Sequence, residues 1–267
     1  MSERSFDRTL EEYSSLADLA MEKALLLLGQ MRESQIVQWK GQRDFATEAD
    51  IAIEAAVKDF LSRQTPEVGF WAEEENAEVP PQKLFWVLDP VDGTVNFSRD
   101  HPNYGISLAL SSQDGPLIGK IVFPALGLRF SAVRDGGCYC NDIQCFVAEN
   151  KALSSAMIGF GDFAVNQNAG IRNVRRFEAM QKLGSAVLRV RMHGSAALDM
   201  CLVANGSLDA GITFSNNPWD MQAGVLMVRE AGGSVVDSSG ASHSLSSQET
   251  FCGNSTLLDM LVELLQE

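Results

Sequence analysis

The stretch Leu84-Phe-Trp-Val-Leu-Asp-Pro-Val-Asp-Gly-Thr-Val-Asn-Phe97 constrains the fold more than any other part of this chain. The unbroken apolar run Leu84 to Leu88 predicts a strand buried on both faces. Asp89 follows at once, and Pro90 biases it towards an extended backbone. Asp89 and Asp92 are then expected to converge from the two ends of one tight turn. Two carboxylates about 4 Å apart repel by about 4 kcal/mol at an effective dielectric near 20. A hard cation such as Mg²⁺, which prefers oxygen ligands, removes that cost. An ordinary Asp-Pro and Asp-Gly turn accounts for the same residues, so this stretch alone leaves both readings open. Gly93 permits close backbone approach. Residues 93 to 97 predict a helical turn whose free N–H groups face a phosphate.

The length of 267 residues fits one large domain or two small ones, with ample core. A net charge of −14 argues against a nucleic-acid binder that relies on phosphate contacts. It leaves a phosphorylated substrate open, because a bound cation inverts the local field. The N-terminus has no apolar signal-peptide core, and Leu25 to Leu28 is too short a run to span a bilayer. The expectation is a cytoplasmic protein with no membrane contact. Cys138, Cys140, Cys145, Cys201 and Cys252 lack the spacing of a zinc site and read as reduced cytosolic thiols.

Helices are expected over residues 9–31 and 48–62, with a short strand at 36–39. Thr47 with Asp50 has the form of a capping box. A strand over 68–72 runs into Glu73-Glu-Glu75, a triplet that ordinarily marks a solvated surface. Strands recur over 106–110, 117–123 and 128–133, then a hairpin over 135–142. Organisation changes near Asn150, where helices over 170–183, 194–204, 219–231 and 256–265 begin to alternate with short strands. The chain therefore divides into residues 1–150 and 151–267, joined in one compact unit.

Taken singly, each acid in this chain has a bland explanation. Asp220 sits in the first turn of a helix, where the dipole favours it, and Asp50 caps one. As a set they read differently. Asp50, Glu73, Asp89, Asp92 and Asp220 each lie at the edge of an apolar element, where side chains from separate elements can meet.

The runs Glu73-Glu74, Asp89-Pro-Val-Asp-Gly-Thr94 and Trp219-Asp-Met-Gln-Ala-Gly224 resemble the three signature motifs of the inositol monophosphatase family, Mg²⁺-dependent and lithium-sensitive phosphatases. Asp44-Phe-Ala-Thr-Glu-Ala-Asp50 and His193-Gly-Ser-Ala-Ala197 match two further family segments, all in family order between Lys40 and Gly233. The resemblance implies an α+β fold, a layered αβαβα sandwich, and usually a homodimer. It implies that Glu73, Asp89, Asp92, Asp220 and the carbonyl of Val91 hold two or three Mg²⁺ ions. Residues 1–150 would then carry most metal ligands, and residues 151–267 would carry Asp220 and the substrate pocket. Thr94 and Asp50 would position and activate a water, with Glu73 assisting. The N–H groups of Gly93 and Thr94 would hold phosphate oxygens, and Gly194, Ser195 and Ala196 would line the substrate pocket.

Two positions depart from the family pattern. Ala72 stands where a glycine is usual, a small steric change. Thr213 stands where inositol-specific members commonly carry an acid, seven positions before the last metal aspartate. A hydroxyl still bonds a polyol, but without charge. The expected activity is metal-assisted hydrolysis of a small polyol or sugar phosphate, foremost inositol 1-phosphate. Histidinol phosphate phosphatase, fructose-1,6-bisphosphatase and bisphosphate nucleotidase are the alternatives within the family, although no added basic cluster marks a second phosphate. A metal-binding regulatory pseudo-phosphatase is the non-enzymatic alternative. Asp162, at the end of a strand, either reaches the pocket or simply turns the chain.

Overall fold

Alternation along the Leu84 strand decides the architecture. The computed structural model describes residues 8–33, 35–41, 43–75, 80–165 and 168–266. In chain order the elements are α1 (Leu10–Gln30), β1 (Ile36–Trp39), β2 (Phe45–Thr47), α2 (Glu48–Gln64), β3 (Gly69–Ala72), β4 (Leu84–Asp92), α3 (Thr94–Phe97), β5 (Gly105–Ser112), β6 (Gly115–Phe123), β7 (Leu128–Val133), β8 (Gly137–Cys140) and β9 (Ile143–Gln144). They continue with β10 (Met157–Phe160), α4 (Ala169–Ala186), β11 (Arg189–Arg191), α5 (Ala196–Ala204), β12 (Ala210–Thr213), α6 (Pro218–Glu230), β13 (Ser234–Val236), β14 (Thr250–Gly253) and α7 (Ser255–Gln266).

Successive strand residues point to opposite faces. On β4, Phe85 and Val87 join a core with α5 and α6 residues such as Leu198 and Met221. Trp86 and Leu88 join another, with Ala17 and Ala20 of α1 and Ile53 and Val57 of α2. Both faces of the strand are therefore covered, as its continuous apolar run requires.

The rest of the layering follows. β3 to β9 form one sheet in sequence order, with β3 parallel to β4 and every other pair antiparallel. A second sheet runs β11-β10-β12-β14-β13. Helices α5 and α6 lie between the sheets, and α4 and α7 cover the outer face of the second through a core around Phe160, Leu183, Phe251 and Leu257. The result is an αβαβα sandwich. One sheet lies before Asn150 and the other after it, but α6, from the later part, packs on β4, β5 and β6.

One local expectation is corrected. The apolar strand does not end in a tight turn at Asp89; β4 continues to Asp92, paired with Gly105 of β5. Its register shifts between Asp89 and Asp92. Pro90 has no N–H to give to the ladder, so the strand bulges there instead of turning back.

Helix α6 lies close against the first sheet. A side chain at Gly119 of β6 would bring its Cβ to 3.0 Å from the Ala223 carbonyl oxygen of α6. Overpacking of this kind costs about 1–3 kcal/mol. Gly119→Val is therefore expected to lower the unfolding free energy by about that amount in a urea titration; a midpoint equal to the parent's would show that α6 does not rest on this glycine.

Candidate active site

Strand parity also places the acids. Trp71 shares the α6-facing core with Phe85 and Val87. Glu73 and Asp89 extend those two alternating series, so both side chains aim at the start of α6. Ala72 pairs with Leu88 across parallel β3 and β4, which puts the next residues, Glu73 and Asp89, side by side. Asp220 stands in the first turn of α6. Trp219 packs edge-on against Trp71 with ring centroids 6.4 Å apart, holding that helix end over β3. One carboxylate oxygen from each of Glu73, Asp89 and Asp220 lies within 4.8 Å of the others.

Burial and mutual repulsion dominate the electrostatics. Burial, then the charges of Glu73, Asp92 and Asp220, hold the Asp89 carboxyl well above the ordinary range. Burial and the neighbouring Glu73 and Asp92 do the same to Asp220. Asp92 is pushed up to about 7 by burial, against the hydrogen bonds it accepts. Glu73 is raised by burial despite the Lys40 ammonium, which bonds it and Glu74 at 2.7 Å. Burial alone would lower the Lys40 pKa; the two glutamates outweigh it and raise it. Among the described residues no Lys or Arg pairs with Asp89 or Asp220. An all-oxygen donor set in which Lys40 offsets only the charge of Glu73 fits a hard divalent cation.

Asp92 is placed differently from the trio. Its carboxylate accepts from the Ser195 hydroxyl and from the Ala197 N–H at 3.2 Å, at the start of α5. The Ser195 hydroxyl also accepts the Leu198 N–H at 3.1 Å, capping that helix. Asp89 is steadied by its own turn, accepting the Val91 N–H at 3.0 Å. The Val91 carbonyl takes the Thr94 hydroxyl at 3.0 Å and retains a second lone pair.

Asp50 makes the capping contacts and also meets Thr94. One oxygen takes the Thr47 N–H at 2.8 Å and the Thr47 hydroxyl at 2.5 Å; the other lies 3.2 Å from the Thr94 hydroxyl. Thr94 has one proton for two acceptors, Asp50 and Val91, so its oxygen keeps lone pairs to receive a further donor. Gly93 is held at φ +86°, and a Cβ there would lie 2.8 Å from the Asn103 carbonyl oxygen. Only glycine fits that site.

A cavity of about 290 Å³ opens beside these groups, lined by Asp92, Gly194, Ser195, Ala196, Thr213 and Asp220 among others. Several residues that shape the site escaped the sequence reading. The Asn96 side-chain amide donates to the carbonyls of Asn103, His193 and Gly194 at 2.8, 2.9 and 3.2 Å, tying the α3 turn to the Gly194 loop. His193 Nδ1 sits 2.5 Å from buried Asp199. The partners of Lys40, and those of Asn96 in the Gly194 loop, lie far along the chain, so no local pattern marks them; His193 and Asp199 are only six residues apart, but no known spacing flags the pair.

The inositol monophosphatase family model matches residues 9–267. The chain belongs to that family. An inositol-1-monophosphatase of Rhizobium meliloti is 36% identical over 232 residues, 86% of each chain. A fructose-1,6-bisphosphatase/inositol-1-monophosphatase of Thermotoga maritima is 31% identical over 243 residues, 91% of each. The crystal structure of the extragenic suppressor protein suhB from Bartonella henselae superposes with a TM-score of 0.86 at 30% identity, covering 95% of this chain and 98% of the other. As a member of the inositol monophosphatase family the protein is a phosphoric monoester hydrolase.

The raised carboxyls have a signed consequence. A group whose folded pKa exceeds its unfolded value stabilises below the unfolded pKa and loses that contribution as pH rises through the folded one. For Asp92 that window runs from the ordinary carboxylate range to about 7; Asp89 and Asp220 act in the same direction. Metal-free protein should therefore melt at lower temperature at pH 8 than at pH 5.5. Added Mg²⁺ should raise the melting temperature more at pH 8. Differential scanning fluorimetry checks both, and an equal Mg²⁺ effect at the two pH values would contradict the cluster's role.

Proposed function

We propose that this family member is a Mg²⁺-dependent phosphomonoesterase acting on a small polyol or sugar phosphate, with inositol 1-phosphate the foremost substrate. The observation that carries the reading is the convergence of Glu73, Asp89 and Asp220 within 4.8 Å beside the cavity lined by Gly194, Ser195 and Ala196. The similarity to the Rhizobium meliloti inositol-1-monophosphatase favours the substrate.

In this reading Glu73, Asp89, Asp92, Asp220 and the Val91 carbonyl hold the two or three ions. Bound Mg²⁺ neutralises phosphoryl charge and lowers the pKa of water. The protein supplies position and a proton path. Thr94 is too weak a base to act alone. Its oxygen accepts from the attacking water, and its hydroxyl proton passes to Asp50, whose carboxyl is raised by burial and so disposed to receive it. The N–H groups of Gly93 and Thr94 cradle the phosphate, on a turn fixed from behind by Asn96. Alignment of this kind accounts for much of the rate gain in phosphate ester hydrolysis.

A homodimer accompanies this reading. The exposed side chains Ile171, Val174 and Phe177 recur every three residues on one face of α4, and burying them against a second copy would remove that apolar surface from water. A cytoplasmic setting accompanies this reading, in which the five cysteines serve as reduced thiols.

A screen of inositol, histidinol, glycerol and fructose phosphates, with and without Mg²⁺, is the direct test. The expected result is Mg²⁺-dependent phosphate release, fastest from inositol 1-phosphate. Mg²⁺-induced thermal stabilisation without turnover of any ester would favour the regulatory pseudo-phosphatase. Asp89→Asn should cut kcat about 100-fold or more, matching the several kcal/mol a metal site supplies, with an unchanged circular dichroism spectrum. Thr94→Val and Asp50→Asn should each slow turnover, and the double variant should lose little more than either alone, because the two act as one unit.

A further inference from the structure

The cavity has a far end that the chemistry above does not use. Beyond Asp220 and the Gly194 loop it is lined by Gly161, Asp162, Phe163 and Thr213. β10 and β12 run parallel, with Phe160 opposite Ile212, so Gly161 faces Thr213 at the strand ends. A Cβ at Gly161 would lie 3.1 Å from both Thr213 Oγ1 and Cγ2. The threonine side chain thus occupies the space above the glycine. The next residue along that edge, Asp162, puts a carboxylate on the cavity.

The backbone of Asp162 is held firmly. Arg176 of α4 is buried, and it spends its guanidinium on main-chain carbonyls: Asp162 at 3.3 Å, Phe214 at 2.7 Å and Arg172 at 3.0 Å. It therefore locks the ends of β10 and β12 together without neutralising the Asp162 carboxylate. Phe163, stacked on Phe177 with centroids 4.7 Å apart, braces the same loop. Arg172 shares the lining and is itself engaged. Among the described residues the Asp162 carboxylate takes part in no ion pair. The side chain is exposed at the cavity rim, and the partial desolvation there raises its pKa.

An exposed carboxylate on an anchored main chain, at the rim of the cavity that holds the metal acids, selects for a hydrogen-bond donor. We infer that Asp162 is the specificity residue of this enzyme, accepting hydrogen bonds from substrate hydroxyls remote from the phosphate. The inference rests on the phosphatase reading and deepens it. Asp162 supplies from β10 the charged acceptor that Thr213 of β12 does not.

The test compares kcat/KM for inositol 1-phosphate with that for p-nitrophenyl phosphate, which carries the phosphate but no hydroxyl. Asp162→Ala should lower the ratio of the two about 10-fold, as loss of a charged hydrogen-bond acceptor does, chiefly through KM. Asp162→Asn, nearly isosteric, should lower it less. Adding Thr213→Glu to Asp162→Ala should restore part of the ratio, since the two positions are neighbours across the strands. An unchanged ratio in both single variants, with both esters still hydrolysed, overturns this inference and leaves the phosphatase standing. Hydrolysis of neither ester by the unaltered enzyme sinks the phosphatase reading, and this inference with it.

Discussion

Crowded like charges are the constraint on which this structure depends. Glu73, Asp89 and Asp220 are brought together from β3, β4 and α6, at a point where each raises the cost of ionising the others. No single element tolerates such a cluster for its own stability. It is held because the apolar side chains behind it leave little choice: Trp71, Phe85, Val87 and Met221 fix the strand faces and the helix seat together. The carboxylates simply continue the alternation of those side chains. The stability of the core therefore carries the strain of the site, and a cation relieves it.

Much of this was legible in the chain. The run Leu84 to Leu88 announced a strand covered on both sides, and the structure covers it with helices on each face. Asp50 offered a capping reading and a catalytic one; the two oxygens of its carboxylate point to Thr47 and Thr94 separately, so the readings never competed. The shape of the Asp89–Asp92 segment was less legible. Propensity for Asp-Pro and Asp-Gly suggested a turn, but pairing with β5 keeps the strand going. Tertiary pairing overrides local turn preference here, and no residue pattern records the partner strand.

The parts that stayed hidden share a cause. Lys40 meets Glu73 across 33 positions, and Asn96 meets Gly194 across 98. Such contacts are made by the packing of layers, and sequence spacing carries no trace of them. Asp162 is an intermediate case. Its place at a strand end was visible, but its exposure to the cavity depends on Arg176 spending its hydrogen bonds on carbonyls instead of on the carboxylate.

The amide of Asn96 carries a wider implication. It grips the Gly194 loop entirely through main-chain carbonyls, those of His193 and Gly194. A main-chain grip is indifferent to side-chain identity. The side chain of Met192 can therefore change without loosening this grip, whereas that of His193 cannot, because its ring also pairs with buried Asp199. The same amide couples the turn that carries Thr94 to the loop that lines the substrate pocket, so a displacement of either is passed to the other.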